Sequence, residues 1–210
     1  MHHPHPSTLY SRNGQRKYLS ADERRRFLLV ARTHTRPEVR TLCLVLAFTG
    51  CRISEALALT PGAVALADGF ISIKCLKKRR GAVVYRELPI PTELAEALRS
   101  VHDLASMPSS NRLWALSRSR AWQLIKMVMT AAGIAGGPYA TPKGLRHAFG
   151  LHAVRSGVPL NMVQKWLGHA SMTTTAIYLQ AVGSEEREFA ARMWTAGEDG
   201  PAAQAPSSAA

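Results

Sequence analysis

The stretch "GFISIKCLKKRRGAVVYREL", residues 69–88, is where the hydrophobic period of the chain changes. Its two arms, "GFISIKC" and "AVVYREL", alternate apolar and polar positions and are rich in β-branched residues. The basic, glycine-containing "LKKRRG" joins them. This pattern predicts a two-stranded antiparallel hairpin with a charged tip.

Outward from the hairpin the spacing is helical. Upstream, "LSADERRRFLLVAR" carries Ser20 and Glu23 at capping-box spacing, with Phe27, Leu28 and Val30 opening an apolar face. Pro37 ends that helix, "PEVRTLCLVLAFTG" reads as a largely buried helix closed by Gly50, and "RISEALAL" starts another. Downstream, "PTELAEALRSVHDL", "SRSRAWQLIKMVMTAAG", "PKGLRHAFGLHAVRSG" and "PLNMVQKWLGH" have Pro or Ser at the front and, in most, Gly near the back. The expected fold is mainly α with a small antiparallel β-hairpin or sheet. Residues 1–18, polar and basic, read as a flexible arm, with "MHHPHP" as a His-rich leader; residues 196–210 read as a disordered tail.

Composition narrows the partner. Lys and Arg number 27 against 14 Asp and Glu, a formal charge of +13 that favours a polyanion. No apolar run approaches the roughly 20 residues that span a bilayer, so nucleic acid is preferred to a membrane. Cys43, Cys51 and Cys75 are odd in number and lack metal-ligand spacing, and the N-terminus lacks the layout of a signal peptide. A reduced, cytoplasmic protein is expected, with no metal and no cofactor.

Three clusters carry chemistry. In "TGCRISEALAL", Arg52 follows a Gly turn at the mouth of a helix, where it can grip phosphate oxygens; Glu55 either buttresses the guanidinium or caps the helix. In "TPKGLRHAFGLH", Lys143 and Arg146 share a face of a helix N-terminus and His147 falls within two turns, which suits a phosphate or forms a solvated basic stripe. In "LGHASMTTTAIYLQ", Gly168 permits a break that presents His169, and Ser171 can cap a short helix carrying Tyr178. A phenol with a pKa near 10 needs cations or an acid–base partner to attack phosphorus, and the two arginines, lysine and histidine supply them.

These motifs and the basic hairpin, in this order, resemble the catalytic domain of tyrosine recombinases, the phage integrase family, over residues 19–195. The resemblance implies site-specific cleavage and rejoining of double-stranded DNA through a 3′-phosphotyrosyl intermediate, at the nucleoid, by a homo-oligomer on DNA or with a partner recombinase. It implies that Arg52 and Arg146 clamp the scissile phosphate, Tyr178 is the nucleophile, and His169 hydrogen-bonds the phosphate and assists proton transfer. A hairpin lysine protonates the leaving oxygen: Lys77 first, Lys78 if the register shifts by one residue.

Two departures stand out. Lys143 occupies the first position of the family's His-x-x-Arg box; a lysine with a pKa of about 10.4 donates to phosphate but cannot act as a neutral base, which leaves that duty to His169 or to no residue. The usual N-terminal core-binding domain is expected to be absent, so a partner or the basic arm would have to help hold the duplex. The alternatives are a DNA-binding module of the same fold with lost or partner-dependent catalysis, and relaxation of the type carried out by type IB topoisomerases.

Remaining features divide similarly. Trp166 and Trp194 read as core or interface anchors, and the threonines at 173–175 as phosphate contacts or as supports for the Tyr178 helix. "EEREFAARMW" is amphipathic, with Phe189, Met193 and Trp194 on one side. By the resemblance it docks on a neighbouring protomer; packing on its own domain is the alternative.

Overall fold

The computed structural model describes residues 9–76, 84–134, 136–180, 190–191 and 193–194. Helix α1, Ala21–Arg32, opens with the expected capping box: Ser20 Oγ accepts from the Glu23 amide at 3.2 Å, and Glu23 Oε2 accepts from the Ser20 amide at 2.8 Å. Helix α2, Pro37–Thr49, starts on its proline and stops at Gly50, whose φ of 60° is left-handed. It is buried on nearly every side and forms the axis of the main core. The "RISEALAL" helix is shorter than its spacing suggests: α3 covers Ile53–Ala56, and Pro61 opens a 3₁₀ turn instead.

The sheet has three strands, one more than the alternation predicted. β1, Val64–Ala65, pairs with β2, Phe70–Lys74, across a turn at Gly69; β2 pairs with β3, Tyr85–Pro89, in antiparallel register. Ile71 faces Leu88 and Ile73 faces Arg86 on the inward side. The hairpin tip, including Lys77 and Lys78, lies outside the described residues.

Helices α4, Thr92–Val101, and α5, Arg118–Ala131, complete the main core. Helix α6, Pro142–Arg155, is capped by Thr141, whose hydroxyl accepts from the Gly144 amide at 3.1 Å. It is buried along most of its length and separates the main core from a second one. That second core gathers Leu9, Phe149, Leu151, Val163, Leu167, Ile177 and Tyr178 from the N-terminal segment, α6, α7 (Leu160–Leu167) and the turn after α8 (Met172–Ala176).

The arm expected over residues 1–18 is therefore packed from residue 9 onward. Leu9 is 2% exposed in the second core, and Tyr10 bridges to Arg16. Arg16 forks onto Glu23 and lies 3.9 Å over the Tyr139 ring. An apolar anchor and a paired cation offset the ordering entropy that a polar arm alone would not. Trp166 packs at the edge of both cores, as an anchor should. Met193 and Trp194 are 67% and 66% exposed, so Trp194 is not a core anchor; Phe189 lies outside the described residues. No helix among the described residues is long and apolar enough to cross a membrane.

Candidate active site

A cleft of about 560 Å³ opens between α3, the N-terminus of α6 and the turn after α7. Arg52, Arg118, Lys143, Arg146, His147, His169 and Thr174 are among its lining residues, and no described acidic residue lines it. Arg52, the N-cap of α3, enters from one side. Glu55 both caps and buttresses: Oε2 accepts from the Arg52 amide at 3.0 Å and Oε1 from Arg52 Nη1 at 2.8 Å.

Arg146 enters from α6 and is 7% exposed. Its guanidinium donates to Gly50 O at 2.8 Å and Leu167 O at 2.6 Å. Burial first, then the neighbouring Arg52 charge, brings its pKa down to about 10. Two guanidiniums repel one another here, beside a cleft that no described carboxylate lines. Lys143, exposed on the same helix end, and Arg118 add further cations to the lining.

His169 follows Gly168, whose φ of 64° ends α7 in the left-handed region. One ring nitrogen, Nδ1, lies 2.9 Å from Thr175 Oγ1, leaving Nε2 as its remaining polar atom. Burial, then Arg146 and Arg52, lowers its pKa to about 3, so the imidazole is neutral near pH 7. The threonine run thus divides: Thr175 holds His169, and Thr174 lines the cleft.

Ser171 caps α8 as expected, but Tyr178 sits in the 3₁₀ turn Ile177–Gln180 that follows. Tyr178 is 1% exposed and does not line the cleft. Its ring runs near-parallel to that of His169, 6.2 Å between centroids at 15°, and its hydroxyl is 3.2 Å from His147 Nδ1. Burial pushes its pKa up to about 12, against the pull of Arg146 and Arg52. Gly150 makes room for the ring: a Cβ there would stand 2.5 Å from Tyr178 Cζ.

Sequence reasoning missed Arg86. It is 4% exposed on β3, donates from Nη2 to Glu55 Oε2 at 2.6 Å and from Nε to Trp166 O at 2.7 Å. It therefore ties the hairpin to Arg52 through Glu55, and to the turn that presents His169. No group of His, Cys, Asp and Glu that could hold a metal occurs among the described residues.

The model of the phage integrase family matches residues 17–184. The chain is 33% identical over 170 residues to tyrosine recombinase XerA of Thermococcus kodakarensis, covering 77% of this chain and 57% of that protein. A crystal structure of XerA recombinase superimposes with a TM-score of 0.70 at 30% identity, covering 87% of this chain and 65% of that one. A XerH site-specific recombinase bound to palindromic difH substrate, in a post-cleavage complex, gives 0.65 at 25% identity over 85% of this chain and 53% of that one. The chain spans about half the length of the curated relatives it matches.

Proposed function

The chain belongs to the phage integrase family, and on that footing we propose that it is a tyrosine-type site-specific recombinase that cleaves and rejoins double-stranded DNA. The observation that carries this reading is Arg146, buried, bonded to two carbonyls and set beside Arg52 in a cleft without a described acidic lining residue. Such a pair fits a phosphodiester and the extra charge that builds on it as a pentacoordinate phosphorane forms.

In this mechanism Tyr178 Oη attacks the phosphorus. The P–O5′ bond breaks, a 3′-phosphotyrosyl link forms, and a 5′-hydroxyl leaves. His169 donates a hydrogen bond to the phosphate through the nitrogen that Thr175 does not hold. Lys143 donates to a phosphate oxygen or neutralises its charge. Lys77 protonates the leaving oxygen, with Lys78 the alternative one residue on. Because Tyr178 is 1% exposed, DNA binding has to open the cleft to its hydroxyl, which stays beside the His147 ring that lines the cleft.

The bond energy of the cleaved strand is kept in the phosphotyrosine, so no nucleotide or metal is needed to reseal it. Exchange between two duplexes needs more than one active protomer, which implies a homo-oligomer, or a partner recombinase, assembled on the DNA in the cytoplasm. The matched relatives bear recombinase names, which does not favour the topoisomerase-like or binding-only alternatives.

The test uses a supercoiled library of the DNA flanking the protein's own gene, quenched with detergent to trap covalent complexes. The parent protein yields adducts at a defined site. Tyr178→Phe binds the same DNA and yields none. Adducts at parental levels in that variant would place the nucleophile elsewhere.

A further inference from the structure

The phenol of Tyr178 has to lose its proton as it attacks, and neither residue expected to help is placed to take it. Lys143 offers N–H donors to a phosphate and no acceptor for a phenolic proton. His169 bonds Thr175 through Nδ1, and its ring runs near-parallel to that of Tyr178 with centroids 6.2 Å apart. The group on the hydroxyl is His147, one turn beyond Lys143 on α6, with Nδ1 at 3.2 Å.

We propose that His147 is the general base of the reaction, accepting the phenolic proton at Nδ1 as the Tyr178–phosphorus bond forms and returning it on religation. The proposal rests on the reading of Tyr178 as nucleophile. His147 is the side chain shared by the two places that must be connected, since it lines the cleft and touches a hydroxyl that does not. When Nδ1 accepts from the phenol, the ring proton sits on Nε2. That atom is buried without a hydrogen-bond partner. A phosphate oxygen in the cleft supplies the missing acceptor, so substrate binding selects the tautomer that can take the proton.

The proton count closes. The phenol gives its proton to His147 Nδ1 while the departing 5′-oxygen takes one from the hairpin lysine. Religation reverses both transfers.

The charges around the imidazole keep it unprotonated in the free protein and oppose its protonation until an anion is bound. Burial first, then Lys143 and Arg146 on its own helix and Lys17 from the N-terminal segment, lower its pKa to about 4; among the described residues His169 and Tyr178 also face it. The free imidazole is therefore neutral and able to accept. A bound phosphodiester opposes those cations and raises its proton affinity when it is needed.

The experiment follows single-turnover cleavage at the site found by trapping. His147→Asn keeps a hydrogen-bonding group beside the hydroxyl but cannot take a proton. At pH 7 it is expected to cleave about 10²-fold more slowly or worse. Its rate should climb about tenfold per pH unit, as hydroxide replaces the base, and approach the parent in alkali. The defect persists on a substrate with a 5′-bridging sulfur, which leaves without protonation. His147→Ala recovers rate with added imidazole. Parental rates for His147→Asn at pH 7 overturn the proposal. So does a loss by one constant factor at every pH with no imidazole rescue in His147→Ala, the signature of a merely structural role. Loss of adducts in Tyr178→Phe, with His147→Asn unaffected, removes the base and leaves the nucleophile standing.

Discussion

Arg86 and Glu55 form a buried ion pair, 2.6 Å between Nη2 and Oε2, with side chains 4% and 0% exposed. Glu55 reaches Arg52 with its other oxygen, so one carboxylate joins the inward face of the hairpin to a cation of the cleft.

Glu55→Gln keeps the shape and removes the charge, leaving Arg86 buried and uncompensated. The expected loss is about 3–5 kcal/mol in urea unfolding, with slower DNA cleavage as Arg52 loses its brace. Burial works against the charged carboxylate, but the Arg86 hydrogen bond and charge, with help from Arg52, hold the pKa of Glu55 below the usual 4.5. A depressed folded pKa means that this stability is present above pH 4.5 and is lost as pH falls through the folded value. The gap between parent and Glu55→Gln should therefore be full at pH 7 and shrink in acid. A gap independent of pH would remove the ion pair from the account.

Leu9→Ala tests the packed N-terminal segment. Leu9 is 2% exposed in the same core as Tyr178. Truncation of a buried leucine costs about 2–5 kcal/mol, so the urea midpoint should fall. An unchanged midpoint would return residues 9–18 to the status of a flexible arm.

The sequence disclosed the helices, the hairpin and the residues that the fold brings together, because caps, glycine stops and period changes are local signals. Arg52, Arg146 and His169 meet in one cleft although far apart in the chain. The long-range partners were harder to read. Arg86 sits at an inward position of an alternating strand, two residues before Leu88; an arginine there signals a buried carboxylate, but Glu55 is on another element. His147 was visible as a histidine near Arg146, yet its partner depends on how the Tyr178 turn folds back over Gly150. Leu9 is one apolar residue in a polar stretch, and its value comes wholly from the core it enters.

Lys143 should act on DNA through charge. Affinity for duplex DNA is expected to fall steeply with salt, as a chain of charge +13 displaces counterions. Lys143→Ala should weaken binding similarly across sequences and reduce the slope of log affinity against log salt by about 1. A slope unchanged from the parent would place Lys143 off the phosphate.

The most direct measurement identifies the residue that carries the DNA. Covalent complexes are trapped with detergent, the DNA is trimmed by nuclease, and the protein is digested and analysed by mass spectrometry. The expected product is a nucleotide joined through its 3′-phosphate to the peptide containing Tyr178. A nucleotide on any other residue, or one joined through a 5′-phosphate, would contradict the reading of Tyr178 as nucleophile.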